Sequence, residues 1–343
     1  MTDATAAPWL ELDDAPAIDG LRFRRPRDDD AEYDALAKMI GEASKADAIP
    51  WYPSGAMLRE DWFDDVEAFD PPRDTLVAEV DGRVVAVGGH RRVLRHGRPV
   101  YSLWGHVHPA WRRRGIGGAM LAEHLRGAHE RGVALGDVSP GDRVEVRSLA
   151  AETEPGFQAI LRAAGLVPIR WVFQLRRPTL DDIPEAKLPE GLELRPVERA
   201  QMRAIALADG EAFQDHWEPR DFTEASLRSD LDSKELKLDL WVVAWDADEV
   251  VGSVQTWIWP DENEALGVKR GWLDSISVRR PWRRRGVARA MTAEALRRLK
   301  AAGMEDAMLG VDAENPTGAL GLYESLGFEV DHRSRIFAWP PSD

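Results

Sequence analysis

No cysteine occurs among the 343 residues. This excludes disulfides, thiolate metal ligands and a covalent acyl-cysteine intermediate together. No run approaches the ~18 consecutive apolar residues that a membrane-spanning helix requires, so no membrane partner is expected. The stretch Met1–Pro16 carries Asp and Glu and lacks a basic start followed by an apolar core, so it does not read as a secretory signal. A cytoplasmic location is the expectation. Positive charge is also in short supply: 45 Lys and Arg stand against 60 Asp and Glu, a formal net charge of −15. A nucleic-acid binder needs a basic face, and this composition argues against one. The histidines show no metal-ligand spacing. His106 and His108 alternate along a strand-like pattern without a third ligand nearby in sequence, so no metal site is expected.

What is present is ordinary globular composition, 44% hydrophobic and 31% charged, at a length that suits about two domains. The chain repeats itself. Gly20-Leu21-Arg22-Phe23 has a counterpart in Gly191-Leu192-Glu193-Leu194, and Ala119-Met120-Leu121-Ala122-Glu123 in Ala290-Met291-Thr292-Ala293-Glu294, with an offset of 171 residues at both ends. Hairpins are expected at Thr75–Gly88 and Trp241–Ser253, around the polar turns Asp81-Gly82 and Asp246-Ala247-Asp248. Helices are expected over Asp30–Ala46, Ala200–Phe213, Gly117–Arg131 and Ala288–Ala302, and later strands over Arg143–Leu149, Leu166–Gln174, Ala307–Val311 and Phe328–Ala338. Residues 1–18 read as an arm or disordered start, 19–175 as a first domain, 176–190 as a Pro-rich charged linker and 191–343 as a second domain.

The centre of the pattern is Pro281-Trp282-Arg283-Arg284-Arg285-Gly286-Val287-Ala288-Arg289, between the apolar run Leu273–Val278 and a helical stretch. A Gly turn between strand and helix gathers free backbone N–H groups at the positive end of a helix dipole, which suits an anion. Gly286 lets backbone approach the ligand closely, and consecutive arginines suit phosphate. Its twin is Trp111-Arg112-Arg113-Arg114-Gly115-Ile116-Gly117, preceded by Val107.

The pair Arg283-x-x-Gly286-x-Ala288 and Arg112-x-x-Gly115-x-Gly117 resembles the pyrophosphate loop of the GNAT superfamily of acyl-CoA-dependent N-acetyltransferases. The resemblance runs from about Leu21 to Gln174 and again from about Leu192 to Trp339. It implies a mixed α/β fold of two tandem GNAT-like domains, each a central mixed, splayed β-sheet flanked by helices. It also implies acetyl-CoA as co-substrate, cradled by Arg283, Arg284, Arg285, Gly286, Val287, Ala288 and Arg289, and by Val107, Arg112, Arg113, Arg114, Gly115, Ile116 and Gly117 if the first copy binds it. Backbone groups of Ile276, Ser277 and Val278 would hold the pantetheine amide. Asn315…Ala319-x-x-Leu322-Tyr323-x-x-x-Gly327-Phe328 resembles the family segment in which the Asn binds the pantetheine arm and the Tyr protonates the departing thiolate.

The repeat is uneven at these positions. Aligning Gly165-Leu166 with Gly327-Phe328 sets Leu161 against Tyr323 and Thr153 against Asn315, and counting back from each glycine turn sets Leu103 against Asp274. A leucine donates no proton, so the first copy is expected to be catalytically degenerate and the second to carry the chemistry. Asp274 is a candidate general base for an ammonium acceptor, or else a strand-end carboxylate bonded to a turn. The expected reaction is direct attack of a small, cationic primary amine on acetyl-CoA in a ternary complex. Residues 209–239 hold ten Asp or Glu and four Lys or Arg, which favours a cationic amine but is equally the composition of a solvated helical surface. Within them Ala212–Glu218 is similar to the corresponding stretch of the mycothiol synthases, which makes acetylation of a cysteinyl amine an alternative. A non-catalytic acyl-CoA sensor is another. His216, Trp217 and Trp257 are candidate acceptor contacts, with aromatic packing as the competing role. Composition leaves monomer and homodimer equally open.

Overall fold

Asp29 opens the first long helix by accepting a hydrogen bond from the Glu32 N–H at 2.8 Å. Acidic residues fill the first turn, and Tyr33, Leu36, Ala37, Ile40 and Ala43 recur at helical spacing along its buried face. The computed structural model describes residues 9–63, 68–95, 97–217, 222–314 and 318–339. In chain order these form β1 (Trp9–Leu10), β2 (Leu21–Arg24), α1 (Asp30–Ala46), α2 (Gly55–Phe63), α3 (Pro71–Asp74), β3 (Thr75–Val80), β4 (Arg83–Arg95), β5 (Arg98–Val107), α4 (Ile116–Leu135), β6 (Val146–Ala151), α5 (Pro155–Ala163) and β7 (Val167–Arg177). The second run is β8 (Glu193–Arg195), α6 (Met202–Phe213), α7 (Glu224–Asp232), β9 (Val242–Asp246), β10 (Glu249–Trp257), α8 (Pro260–Leu266), β11 (Arg270–Val278), α9 (Val287–Ala301), β12 (Asp306–Asp312), α10 (Ala319–Glu324) and β13 (Glu329–Ala338).

Two compact units result. One is built from residues up to Leu94, Arg98–Arg170 and the segment from Ser334 onward; the other contains Trp171–Arg333. Strands run β1-β2-β3-β4-β5-β6 in the first, closed by residues 334–338 of β13 lying antiparallel to β6. The second runs β12-β11-β10-β9-β8, closed by residues 172–177 of β7 lying antiparallel to β12. Each unit therefore takes its last strand from the other half of the sequence. Strand pairing in each unit is mixed: β5 with β6 and β11 with β12 are parallel, whereas β2–β3, β3–β4, β8–β9, β9–β10 and β10–β11 are antiparallel.

The hairpin turns fall where the polar residues put them. Asp81 and Gly82 both take positive φ, at 49° and 79°, as a tight two-residue hairpin demands. The sequence suggests a linker from Arg176, but β7 continues through Arg177. There the buried guanidinium donates to the carbonyls of Leu326 and Asp182 at 2.6 and 2.7 Å. Leu180 is buried in the second unit's core with its N–H on the Glu305 carbonyl. Within the stretch expected as an arm, β1 pairs with β2, and Leu10, Leu12 and Ile18 pack against the core cluster that includes Ile116 and Met120 of α4.

In the second unit the sheet is sandwiched. Leu273, Val251, Val254 and Leu309 face α9 through Met291, Leu296 and Leu299. Val243, Trp245, Trp241 and Trp257 face α6 through Met202, Ile205 and Ala208. No helix among the described residues is long and apolar enough to cross a membrane.

Candidate active site

β11 and β12 are paired in parallel only from Arg270/Asp306 to Leu273/Leu309, yet both strands continue, to Val278 and Asp312. Beyond Leu273 they part. At the same place β11 carries a bulge: Thr256 of β10 faces Leu273 and Gln255 faces Ser275, so Asp274 is the extra residue. A bulge re-aims the side chains that follow it. Leu273 packs towards α9, whereas Ser275 and Ser277 bond to groups on the α6 side. The splay opens a cleft of about 860 Å³.

One end of the cleft is the Gly turn. Arg284 and Gly286 both adopt left-handed backbone, at φ 61° and 85°. Left-handed residues alternating with ordinary ones turn successive N–H groups inward as an anion-binding concavity, and for a non-glycine this geometry costs about 1–3 kcal/mol. α9 begins immediately after, and the Ala290 N–H is bonded back to Gly286. A Cβ built on Gly286 would meet nothing within 4 Å, so the turn is open. Open cradle, helix N-terminus and splayed strands together fit the pyrophosphate and pantetheine of a coenzyme A thioester.

The arginines divide the work. Arg283 donates to the Val278 carbonyl at 2.8 Å, to the Ala212 carbonyl at 2.7 Å and to Asp215 at 2.5 Å, so it ties the turn to the end of α6. Hydrogen bonds from Arg280 and then Arg283 hold the Asp215 carboxyl well below the usual range. Arg284 and Arg289 line the cleft, as do Val287, Ala288, Ile276, Ser277 and Val278. Arg285 is exposed and is not part of the cleft wall.

Tyr323 and Asp274 both face the cleft. Asp274 is exposed; Tyr323 is 6% exposed, its ring 6.1 Å from Phe328 in an edge contact. Burial pushes the phenol pKa above its ordinary value, which keeps it protonated at neutral pH. The Gly-Phe that follows is structural. A Cβ on Gly327, at φ 85°, would sit 1.9 Å from the Arg177 guanidinium. Asn315 lies outside the described residues.

His216 lines the cleft with its ring 4.3 Å from Phe213, the neighbour it packs on. Trp217 is half-buried and outside the cleft wall. Trp257 is buried, stacked on Trp259 at 5.4 Å and edge-on to Trp241 in the α6-side core. It does not join the residues of the cleft.

One group went unrecognised in the sequence. Asp209 of α6 accepts hydrogen bonds from the hydroxyls of Ser275 at 2.8 Å and Ser253 at 3.3 Å, and the Ser277 Oγ lies 3.4 Å from Ser253 Oγ. Burial raises its pKa against the lowering effect of the three serines. Its position among ten acidic residues hid it; the alternation of Ser275 and Ser277 after the bulge was the available clue.

The first unit repeats the scaffold without the space. β5 and β6 pair only from Tyr101/Val146 to Leu103/Ser148 before parting, and Arg113 and Gly115 take φ 60° and 90°. Arg112 donates to the Val107 carbonyl and to Asp47, the counterpart of the Arg283 clasp. A cavity of about 50 Å³ in this unit is lined by Trp104, Phe157 and Ile160, and also by Val107 and Gly117. Phe157 stands opposite Ala319 of the second copy, and Leu161, fully buried, opposite Tyr323. Pro16 of the arm comes within 3.1 Å of where a Gly115 Cβ would be. Arg114 lies over the Trp111 ring at 4.8 Å, and Ile116 is buried.

Comparison with known proteins agrees with this geometry. Residues 202–328 match the acetyltransferase (GNAT) family and residues 71–152 an acetyltransferase (GNAT) domain. The chain is 33% identical over 223 residues to the mycothiol acetyltransferase of Thermobispora bispora, covering 65% of this chain and 70% of that one. It is also 33% identical to that of Salinispora tropica, covering 65% and 67%. Among solved structures, a GCN5-related N-acetyltransferase from Sphaerobacter thermophilus superposes with a TM-score of 0.73 at 26% identity, over 95% of this chain and 98% of that one. A tandem GNAT protein from the clavulanic acid biosynthesis pathway shares the fold with a TM-score of 0.65 at 19% identity, over 94% and 100%. The chain belongs to the GNAT acetyltransferases, in their tandem form, and is an acyltransferase with acetyl-CoA as its co-substrate.

Proposed function

We propose that the second unit moves an acetyl group from acetyl-CoA to the primary amine of a small, cationic acceptor, while the first unit is a catalytically silent copy. The observation that carries this is the contrast between a cleft of about 860 Å³ walled by Tyr323 and Asp274 and a cavity of about 50 Å³ plugged by Phe157 and Trp104. The backbone around Arg284–Arg289 takes the pyrophosphate, and the strand Ile276–Val278 takes the pantetheine and polarises the thioester carbonyl. Asp274, at the bulge, attracts the ammonium. Once the ammonium has given up one proton, the amine attacks the thioester directly; as the C–N bond forms and the C–S bond breaks, the buried Tyr323 hydroxyl gives its proton to sulfur, and the second proton that nitrogen sheds as the amide forms restores the phenol. Tyr323→Phe tests this in a coenzyme A release assay across an amine panel. Loss of turnover with intact acetyl-CoA binding supports the role. Tight binding by the wild type without turnover on any amine would favour a sensor.

A second reading narrows the acceptor to the cysteinyl amine precursor of mycothiol. It rests on the 33% identity to the mycothiol acetyltransferases. A desacetyl-mycothiol kcat/KM far above that of every other amine would support it.

A further inference from the structure

The cluster around Asp209 is not required by the fold, because the first unit builds the same frame without it. Arg112 reaches the Ala43 carbonyl as Arg283 reaches that of Ala212, and three residues before those carbonyls stand Ile40 and Asp209. The N–H groups of His108 and Arg279 mark Val85 and Val251 as equivalent, and two residues on are Val87 and Ser253. Counting back from the glycine turns pairs Trp104 with Ser275 and His106 with Ser277. Ile40, Val87 and a Trp ring thus occupy the places of a carboxylate and two of its three hydroxyl partners. Apolar packing solves this site, so a desolvated carboxylate there carries a cost the fold does not impose. Only the copy with the open cleft retains it.

We propose that Asp209, acting through the Ser277 hydroxyl, is the proton acceptor that converts the bound ammonium of the acceptor into the attacking amine. The proposal rests on the acetyl transfer assigned above to the second unit. Ser277 lines the cleft, and its Oγ lies 3.4 Å from Ser253 Oγ, which in turn donates to the Asp209 carboxylate at 3.3 Å. Ser275 and Ser253 hold that carboxylate in place. The ammonium N–H proton passes to Ser277 Oγ while the Ser277 proton passes to Ser253 Oγ and the Ser253 proton to a carboxylate oxygen of Asp209. Nitrogen keeps the electron pair, which attacks the thioester carbonyl, and Asp209 returns its proton to solvent after the product leaves. Burial, which raises the proton affinity of Asp209, makes it a stronger base than an exposed carboxylate. Asp274, exposed at the cleft wall, binds the cation and need not take its proton.

The test is the pH profile of kcat/KM for Asp209→Asn, with spermidine, tyramine and glucosamine as probe amines. At pH 7 the variant is expected to be roughly 100-fold slower than the wild type, with acetyl-CoA affinity unchanged by titration calorimetry. The deficit should close as pH approaches each amine's own pKa, where free amine no longer needs a base. Ser277→Ala, which leaves the carboxylate and disturbs folding least, should show the same closing deficit. A deficit constant with pH would assign the cluster a purely structural role and overturn the relay, as would a wild-type profile in both variants. If the wild type acetylates none of the amines while binding acetyl-CoA, the transfer reading itself falls and the relay with it.

Discussion

In both units the strand entering the glycine turn parts from its parallel neighbour after a few residues, and in both an arginine clasps the turn to the end of the preceding helix. The difference is what lies between the parted strands. In the first unit it is Trp104, Phe157 and Ile160, with Pro16 laid against the turn; in the second it is open space bordered by Asp274, Ser277 and Tyr323. Left-handed backbone at Arg113 and Arg284 is the same in both. The comparison teaches that the glycine turn is part of the fold's frame in both units. Its presence in a sequence marks the scaffold, and the residues across the splay decide whether the scaffold can accept a thioester.

The largest expected effect breaks the half proposed to carry turnover. Tyr323→Phe keeps the ring contact with Phe328 and removes the proton, so kcat should fall roughly 100-fold or more while acetyl-CoA affinity holds. The mirror change, Leu161→Tyr, should create no activity, because Phe157 still fills the space in front of it.

The cradles come next. Gly286→Val forces a branched residue into φ 85° at an open turn, and acetyl-CoA affinity should drop at least about 10-fold by calorimetry. Gly115→Val should leave acetyl-CoA affinity unchanged. It should lower thermal stability instead, by about 1–3 kcal/mol, since φ is 90° and Pro16 is already close.

Acid separates the units by their histidines. His90 and His124, buried in the first unit with their Nδ1 atoms 3.4 Å apart, are pushed down to about 4 and about 3, mainly by burial. Their folded pKa values lie below the unfolded value of about 6.5. Stability from keeping them neutral is therefore present above pH ~6.5 and is lost as pH falls towards 4. The cost is on the order of 3 kcal/mol per buried ring. Hydrogen exchange at pH 4.5 should show β4 and α4 losing protection before β10 and α9.

The smallest effect should be equal in the two halves. Arg112→Ala and Arg283→Ala each remove a clasp of charged hydrogen bonds, at a cost of about 1–2 kcal/mol in urea unfolding. A much larger loss in one half would mean that the two clasps are not equivalent.

The sequence carried most of the frame. Asp30–Ala46 was legible because a cap, an acidic first turn and helical periodicity agree, and both hairpins because β-branched runs flank turn residues. Tyr323 and Asp274 stood out through the uneven repeat. Other features were hidden because they depend on neighbours distant in sequence. The exchange of closing strands between halves leaves no local mark, since β7 and β13 pattern alike as half-buried strands wherever they pair. Trp257 looked like a pocket aromatic because spacing cannot tell the two faces of β10 apart without knowing which helix covers each. Asp209 was indistinguishable from its acidic neighbours until the bulge at Asp274 turned two serines towards it.

Counting coenzyme molecules tests the central claim most directly. A native mass spectrum of the full chain should show one acetyl-CoA bound per chain at saturation, with occupancy at a subsaturating concentration sharply lowered by Gly286→Val and unaffected by Gly115→Val. Two bound per chain, or one that disappears with Gly115→Val and survives Gly286→Val, would contradict the assignment of the thioester site to the second unit.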